Sequence, residues 1–381
     1  MGGLLVALGY FLGLYFFDSP AGGLLIALLI WVVMSLVAYF QGDSVLLALS
    51  GAKKIGRDDH PRLYNVVEEM KIASGLEHVP DIYIIDDPAL NAFATGRRPD
   101  RAAVAITSGL LQKLNRDELQ GVIGHEIAHI RNRDVLLMSM LTVLLGTIVI
   151  LGWYASRVLF FSGMAGGRRR SSGGGGGGGQ AILMVLGLIL IILAPIAAQL
   201  IYFAVSRKRE YLADASSALY TRYPEGLASA LEKLGASRTQ LKSANKATAP
   251  MYTVNPFRGR GRSATGLTST HPPIDERVRI LRSMAGGSFV DYDRAYRQVR
   301  DRRKGIVPAS GLAMAAVPLR SGETTAGEPG EAERAREVSD VLWRLNGYRT
   351  LDCRCGARLK IPPSIRGARI ACPHCGRSHQ V

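Results

Sequence analysis

Four stretches without a charged residue constrain this chain more than any other feature: residues 2–17, 21–40, 135–155 and 181–205. A helix needs about 20 apolar residues to cross roughly 30 Å of hydrocarbon. The last three stretches reach that length and the first falls short of it. Buried core helices of a soluble protein account poorly for such runs, because the rest of the sequence is ordinarily polar. The first run lacks the basic start of a signal peptide, and the second follows it almost at once. Residues 1–42 are therefore read as an N-terminal membrane hairpin with its tip at Asp18-Ser19-Pro20. Residues 135–205 are read as a second membrane hairpin around the glycine-rich, low-complexity loop RRRSSGGGGGGGQ.

The chain has 381 residues and a formal net charge of +16. Lys53, Lys54, Arg57, Arg62 and Lys71 follow the first hairpin, Arg131 and Arg133 precede the third run, and Arg207, Lys208 and Arg209 follow the fourth. By the positive-inside rule these segments face the cytoplasm, so the basic balance sets topology rather than marking a nucleic-acid binder. Arg168, Arg169 and Arg170 fall in the loop that a double crossing would place outside. Full spanning and shallow insertion of the second hairpin both stay open on that account. The expected location is the cell (inner) membrane, multi-pass, with the C-terminus cytoplasmic.

Residues 44–134 and 206–290 are expected to make one polar domain. PRLYNVVEEMKIASGL has apolar residues at helical spacing behind His60-Pro61. DIYIID, NAFAT and AAVAIT read as short strands, with turns at Asp87-Pro88 and GRRPDR. Asn115 and Glu118 form a capping-box pattern, and the helix they start runs through GHEIAH with no proline before Ala155. Gly121 and Gly124 lie on that helix, where small residues let another backbone approach. After the fourth run come helical segments to about Leu234 and a loop rich in Gly, Arg and Ser. A further helix starts at Pro272-Pro273, with Asp275 and Glu276 in its first turn. Residues 305–335, rich in Ala, Gly, Pro and Glu, are expected to be a disordered linker.

His125 and His129 are four apart and so share one helix face, where their Nε2 atoms can converge on one Zn²⁺. Glu126 is turned about 100° from His125 and stands beside the metal. Zinc brings the pKa of water toward neutrality, and Glu126 would take the proton as water attacks a peptide carbonyl. A catalytic zinc needs a third protein ligand and an open position. Glu210 is the candidate, five residues past the fourth run, about 8 Å along a helix; His129 precedes the third run by about 9 Å. Two antiparallel membrane helices, or a shallow hairpin, would deliver both to the same height above the membrane. Asp214, four residues beyond Glu210, would accept a hydrogen bond from a ligand imidazole and fix its tautomer. A surface helix with Arg and Glu pairs is the other reading of REYLAD.

GHEIAHIRNRD, NAFATG, REYLADASS and THPP together resemble the HtpX-type membrane zinc metalloproteases, relatives of the CAAX prenyl proteases within the gluzincins. The resemblance spans residues 1–285 in outline. It implies a peptidase with its active site facing the cytoplasm, zinc held by His125, His129 and Glu210, and Glu126 as general base and acid. It also implies a part in the quality control of membrane proteins. By the same resemblance Asn91, Ala92 and Phe93 line a strand edge that pairs with an extended substrate, as in β-augmentation; Phe93 suits an ordinary core position as well. His271 is placed near the metal, as an oxyanion donor or a displaceable fourth ligand. A helix-start residue held by two prolines is the alternative. His60, His78, His374 and His379 are read as structural or surface residues.

All four cysteines lie in the last 29 residues, as Cys353-x-Cys355 and Cys372-Pro-His-Cys375 with sixteen residues between. Paired cysteines on glycine-containing turns are the layout of a zinc ribbon, although C-x-C in place of C-x-x-C leaves room for iron. So short and polar a segment, residues 348–381, needs a metal to fold. It would recruit a protein, bind nucleic acid through Arg354, Arg358, Lys360, Arg366 and Arg369, or act as a rigid cap.

The expected fold is an α-helical multi-pass membrane protein with a mainly α, α+β gluzincin metalloprotease domain and a small C-terminal zinc ribbon. The expected function is a zinc endopeptidase acting on membrane or misfolded polypeptides at the cytoplasmic face. It would use one catalytic and one structural Zn²⁺, with the lipid bilayer and a partner of the ribbon as further contacts. Processing of lipidated or signal-derived peptides is a narrower alternative. A non-catalytic membrane adaptor is another, against which the intact Glu126 argues.

Overall fold

A computed structural model describes residues 1–17, 19–165, 177–241, 269–313, 317–322, 327–365, 367 and 369–380. Asp18, the arginines Arg168, Arg169 and Arg170 with most of the glycine tract, residues 242–268 of the Gly/Arg/Ser-rich loop, and Arg366 lie outside them. In chain order the elements are α1 (Gly2–Phe17), α2 (Pro20–Leu49), β1 (Lys53–Ile55), α3 (Pro61–Ser74), β2 (Asp81–Ile85), β3 (Ala92–Thr95) and β4 (Ala103–Thr107). Then come α4 (Ser108–Lys113), α5 (Arg116–Arg131), α6 (Asp134–Ala165), α7 (Gly177–Thr221), α8 (Pro224–Ala236), α9 (Ile274–Arg282) and α10 (Phe289–Val299). The C-terminal part holds α11 (Ala309–Leu312), α12 (Glu331–Leu345), β5 (Arg349–Asp352), β6 (Arg358–Ile361), β7 (Arg369–Ala371) and β8 (Ser378–Gln380).

α1, α2, α6 and α7 pack on one another around Leu8, Ile148, Ala155 and Ala198. Their outer faces carry Leu25, Leu29 and Trp153, each at least 60% exposed, the kind of open apolar surface that marks a membrane or partner contact. By length and composition, Asp134–Arg157 and Val185–Thr221 can cross a membrane, whereas Gly2–Leu14 and Pro20–Leu36 are shorter apolar helices.

The polar part is built on a sheet of order β1-β2-β4-β3, with β2 and β4 parallel and the outer pairs antiparallel. α3 and α5 cover it, burying Leu63, Val66, Ile84, Val104, Ile106, Val122 and Ile123 in one core. α3 is amphipathic as its spacing predicts. Its cap is the buried His60, whose Nδ1 accepts the Leu63 N–H. Burial, with the Arg62 charge beside it, pushes the His60 imidazole down to about 4, so it stays neutral in this structural post. α5 begins at a full Asn115–Glu118 capping box. A Cβ on Gly121 would come within 2.6 Å of the Leu227 nitrogen, so this glycine is what lets α8 approach α5.

Two expectations fail. The helix through GHEIAH does not continue into the third apolar run. It stops at Asn132, and Arg133 takes a left-handed conformation with φ 55° before α6 starts afresh at Asp134. A left-handed residue ends a helix as surely as a proline, and no sequence pattern announced this one. Residues 305–335, expected to be a disordered linker, are largely exposed where they are described, yet they are tied down at several points. The Gly287 N–H donates to the Val317 carbonyl (2.8 Å), Arg320 reaches Asp117 and Gln120 (each 2.6 Å), and Glu328 accepts the Arg116 backbone N–H. Arg334 donates to the Gln112 carbonyl (3.0 Å), and α12 buries Val338 and Val341 against α4. A few long side chains anchor a segment whose average composition suggests no core.

An arginine in the left-handed region costs about 1 kcal/mol that glycine does not incur. Arg133→Gly is therefore expected to raise the thermal midpoint of the detergent-solubilised protein, and Arg133→Val to lower it. A glycine variant less stable than the parent would contradict this account of the break.

Candidate metal centre

α5 lies against α7, and the Ser217 hydroxyl ties the two by donating to the Gly121 carbonyl (2.7 Å). This contact brings His125 and His129 opposite Glu210 and Asp214. His125 Nδ1 is 3.0 Å from Asp214 Oδ1, and His129 Nδ1 is 2.8 Å from Asp134 Oδ2. With each Nδ1–H given to a carboxylate, both lone pairs sit on Nε2. Those Nε2 atoms are 3.2 Å apart, and Glu210 closes the triangle with Oε2 3.6 Å from His125 Nε2 and Oε1 3.5 Å from His129 Nε2. An ion bound tetrahedrally at about 2.0–2.1 Å requires ligand–ligand edges of about 3.4 Å. Glu210 Oε2 is moreover buried and makes no hydrogen bond of ordinary geometry among the described residues, its nearest cation being Arg277 Nη1 at 3.3 Å, which leaves room for a ligand role. The three side chains fit a zinc ion.

Burial alone would lower both imidazoles. Hydrogen bonds to Asp214 and Glu210 outweigh it at His125, and to Asp134 and Glu210 at His129, holding both above the usual histidine range. Carboxylates that draw protons to this site draw a divalent cation equally, and a metal would displace those protons.

Two residues at the centre escaped the sequence reading. Arg277, with no exposed surface, donates from Nε and Nη2 to both Asp214 oxygens (2.8 and 2.6 Å) and lies 3.3 Å from Glu210 Oε2 through Nη1. Burial disfavours its charge, but the Asp214 carboxylate more than compensates and keeps the guanidinium charged. In the sequence it sits within DERVRIL, indistinguishable from an exposed basic residue on a helix. Asp134 bonds His129 only because the chain turns at Arg133; it also pairs with Arg209 on α7. No spacing rule points across a helix break.

Glu126 is buried (1% exposed) on α5, next to His125 in the chain. His271 is buried just before α9, its Nδ1 2.9 Å from Thr270 Oγ1 and its Nε2 3.9 Å from Glu210 Oε1. β3 packs against α5 and is the last strand of its sheet among the described residues. Phe93 buries its ring with Leu46, Ile85, Ala89 and Leu241. Asn91 turns its side-chain oxygen to the Ala92 N–H (3.1 Å), its own N–H donates to Thr107 Oγ1 (3.0 Å), and its carbonyl accepts from the Thr107 N–H (3.0 Å).

A second cluster lies at the C-terminus. β5–β6 and β7–β8 are separate antiparallel hairpins whose turns carry the cysteines. Sγ atoms of Cys353 and Cys375 are 3.6 Å apart and those of Cys355 and Cys372 are 3.7 Å apart, with all four within 4.8 Å of one another. Zinc–sulfur bonds of about 2.3 Å give tetrahedral edges of about 3.8 Å. Backbone N–H groups of Cys375 and His374 pull the Cys372 thiol down to about 6, whereas at Cys355 the Ala357 N–H is outweighed by the neighbouring cysteines, which push that thiol up to about 12, so the four thiols share their protons. His379 is not a plain surface residue: its Nε2 is 3.2 Å from Cys353 Sγ. His78 and His374 are exposed.

A family model described as peptidase family M48 matches residues 58–285. A "Protease HtpX homolog" from Dictyoglomus turgidum is 48% identical over 269 residues, covering 71% of this chain and 84% of its own length. A protein of the same description from Streptococcus pneumoniae is 43% identical over 281 residues, covering 74% of this chain and 93% of its own. The crystal structure of S. mikatae Ste24p aligns with a TM-score of 0.43 and 19% identity, over 74% of this chain and 63% of that one.

Removing the carboxylate that holds a ligand imidazole typically weakens metal affinity by about 10–100-fold. Asp134→Asn is expected to do so, read from metal retention during titration with a chelator; unchanged retention would remove Asp134 from the site. Arg277→Met leaves two buried carboxylates unanswered and should cost about 3–5 kcal/mol, measured by denaturant unfolding in detergent.

Proposed function

We propose that this chain, which belongs to peptidase family M48, is a zinc endopeptidase that cuts membrane or misfolded polypeptides at the cytoplasmic face of the membrane. One observation carries the reading: two imidazole lone pairs and a buried carboxylate converge at zinc-ligand spacing, with Glu126 next to them on the same helix. In this reading His125, His129 and Glu210 hold the metal, and Asp214, Asp134 and Arg277 hold the ligands. Bound there, zinc supplies Lewis acidity toward the scissile carbonyl and makes water nucleophilic near neutral pH.

Glu126 takes the proton of the attacking water and delivers it to the leaving amine. His271 serves either as a donor to the developing oxyanion or as a displaceable fourth ligand, and its distance from Glu210 suits both roles. An extended substrate lies along the β3 edge beside α5, the edge that Asn91, Ala92 and Phe93 line.

The quality-control role rests on position. Glu210 follows the apolar run by five residues, about 8 Å of helix. With α6 and α7 crossing the bilayer, the basic groups Arg207, Lys208 and Arg209 support a site on the cytoplasmic side. Substrates are then polypeptides emerging from, or lying on, the membrane. The chain divides as membrane hairpins 1–42 and 135–205, a metalloprotease domain 44–134 with 206–290, and a module 348–381. In that module Cys353, Cys355, Cys372 and Cys375 hold a second, structural zinc, supported by their tetrahedral spacing.

Glu126→Gln should abolish cleavage of an unfolded protein such as casein, by about 10²–10⁴-fold, while metal content measured on the same sample stays at the parent level. Unchanged cleavage would remove Glu126 from the mechanism. Loss of metal and activity together would make it a structural residue.

A further inference from the structure

The C-terminal module lies beyond the family match, which ends at residue 285, and the peptidase chemistry leaves it without a task. Its mounting is rigid. α12 packs on α4, Arg344 donates to the Asp59 carbonyl (2.7 Å), and Asn346 accepts from Lys53 on β1. The β5–β6 hairpin is fixed to α12 in turn, with Arg358 3.3 Å and Lys360 3.1 Å from Asp340. These contacts set the module at the β1 edge of the sheet, opposite the β3 edge beside α5. It therefore lies away from the β3 edge, which argues for a docking arm rather than a cap.

The charge of this arm is lopsided. Residues 348–381 contain seven basic side chains and one acid, Asp352. Four cysteine thiolates around a divalent metal contribute two negative charges and still leave a clear positive excess. Arg358 and Lys360 are used up on Asp340 and Asp352. Arg349, Arg354, Arg369 and Arg377 are all exposed. No ion pair is found for any of the four among the described residues. They stand on a hairpin, on the knuckle turns and on the strand leading into the second knuckle. They are arginines, whose planar forks match phosphate oxygens in a way a lysine ammonium does not.

A lipid surface fits less well. No large apolar side chain of residues 348–380 is exposed among those described, so nothing is available to insert beneath headgroups.

We infer that the module is a metal-built arm that binds nucleic acid through the phosphate backbone, using Arg349, Arg354, Arg369 and Arg377. The inference rests on the ribbon reading above and extends it to a ligand class. Such binding is driven by counterion release, is weakly dependent on sequence and falls steeply with salt.

The test uses the full-length protein in detergent and a short fluorescein-labelled RNA, with anisotropy followed as a function of salt. Arg354→Glu/Arg369→Glu/Arg377→Glu is expected to weaken binding at least about tenfold and to flatten the slope of log affinity against log salt by about 2, given ~0.7 per single-strand phosphate contact. Casein cleavage should be unchanged in this variant, because none of the three arginines belongs to the centre on α5 and α7. Metal content, counted on the parent and on Cys372→Ser/Cys375→Ser, separates the two readings. One metal per parent chain sinks the ribbon itself. Two metals with no RNA binding, or with binding that the arginine variant keeps, sink the nucleic-acid arm alone. Capture of phosphatidylserine vesicles through the same arginines, in the absence of RNA binding, would assign the face to the membrane and overturn the proposal.

Discussion

The centre is organised around one fully buried guanidinium. Arg277 comes from α9, and it answers the charges of Asp214 and Glu210 on α7 while lying against the His125 ring (Nη2 to Nδ1, 3.5 Å). Two carboxylates and an imidazole cannot be gathered in a water-free pocket without such a countercharge, since the desolvation of each ion costs several kcal/mol. The residue after Arg133 plays a parallel part for the other imidazole: Asp134 holds His129 and is itself held by Arg209. Each candidate ligand histidine thus has a carboxylate behind it and an arginine behind that. This layered pairing lets a site with so many acidic groups stay folded before any cation arrives.

Much of this was legible in the sequence, for physical reasons. Apolar runs report their own length, and i, i+4 histidines share a helix face whatever the tertiary structure. A capping box such as Asn115–Glu118 is a strictly local device. Glu210 was reachable because its distance from one apolar run matches that of His129 from another, although the helix assumed for His129 proves to be two helices. What stayed hidden depends on distant contacts. Arg277 lies more than sixty residues from Asp214 in the chain and carries no marker of burial. Asp134 needs a left-handed turn that an ordinary arginine supplies. The C-terminal strap misleads by average composition, because Arg320, Glu328 and Arg334 do the anchoring one at a time.

That strap changes how the chain divides. α10 and α12 pack into the same core as α3, α5 and α8, so residues past the family match complete the peptidase rather than trail from it. Arg320 contacts Asp117 and Gln120 at the start of α5, the helix that carries the HEIAH residues. Residues Arg320, Glu328 and Arg334, on the way to the C-terminal module, are thus each fastened to the α4–α5 region.

α7 is one helix from Gly177 to Thr221 with Pro195 inside it, so the apolar stretch and Glu210 belong to one element that has a built-in bending point. From Pro195 to Glu210 the helix is about 22 Å long at 1.5 Å per residue, and a bend of roughly 5° at the proline would move the carboxylate about 2 Å. Ligand geometry tolerates a few tenths of an ångström. A bend at Pro195 is thus large enough to open or close the spacing between Glu210 and the two imidazoles on α5, which ties the geometry of the centre to the path of the apolar helix.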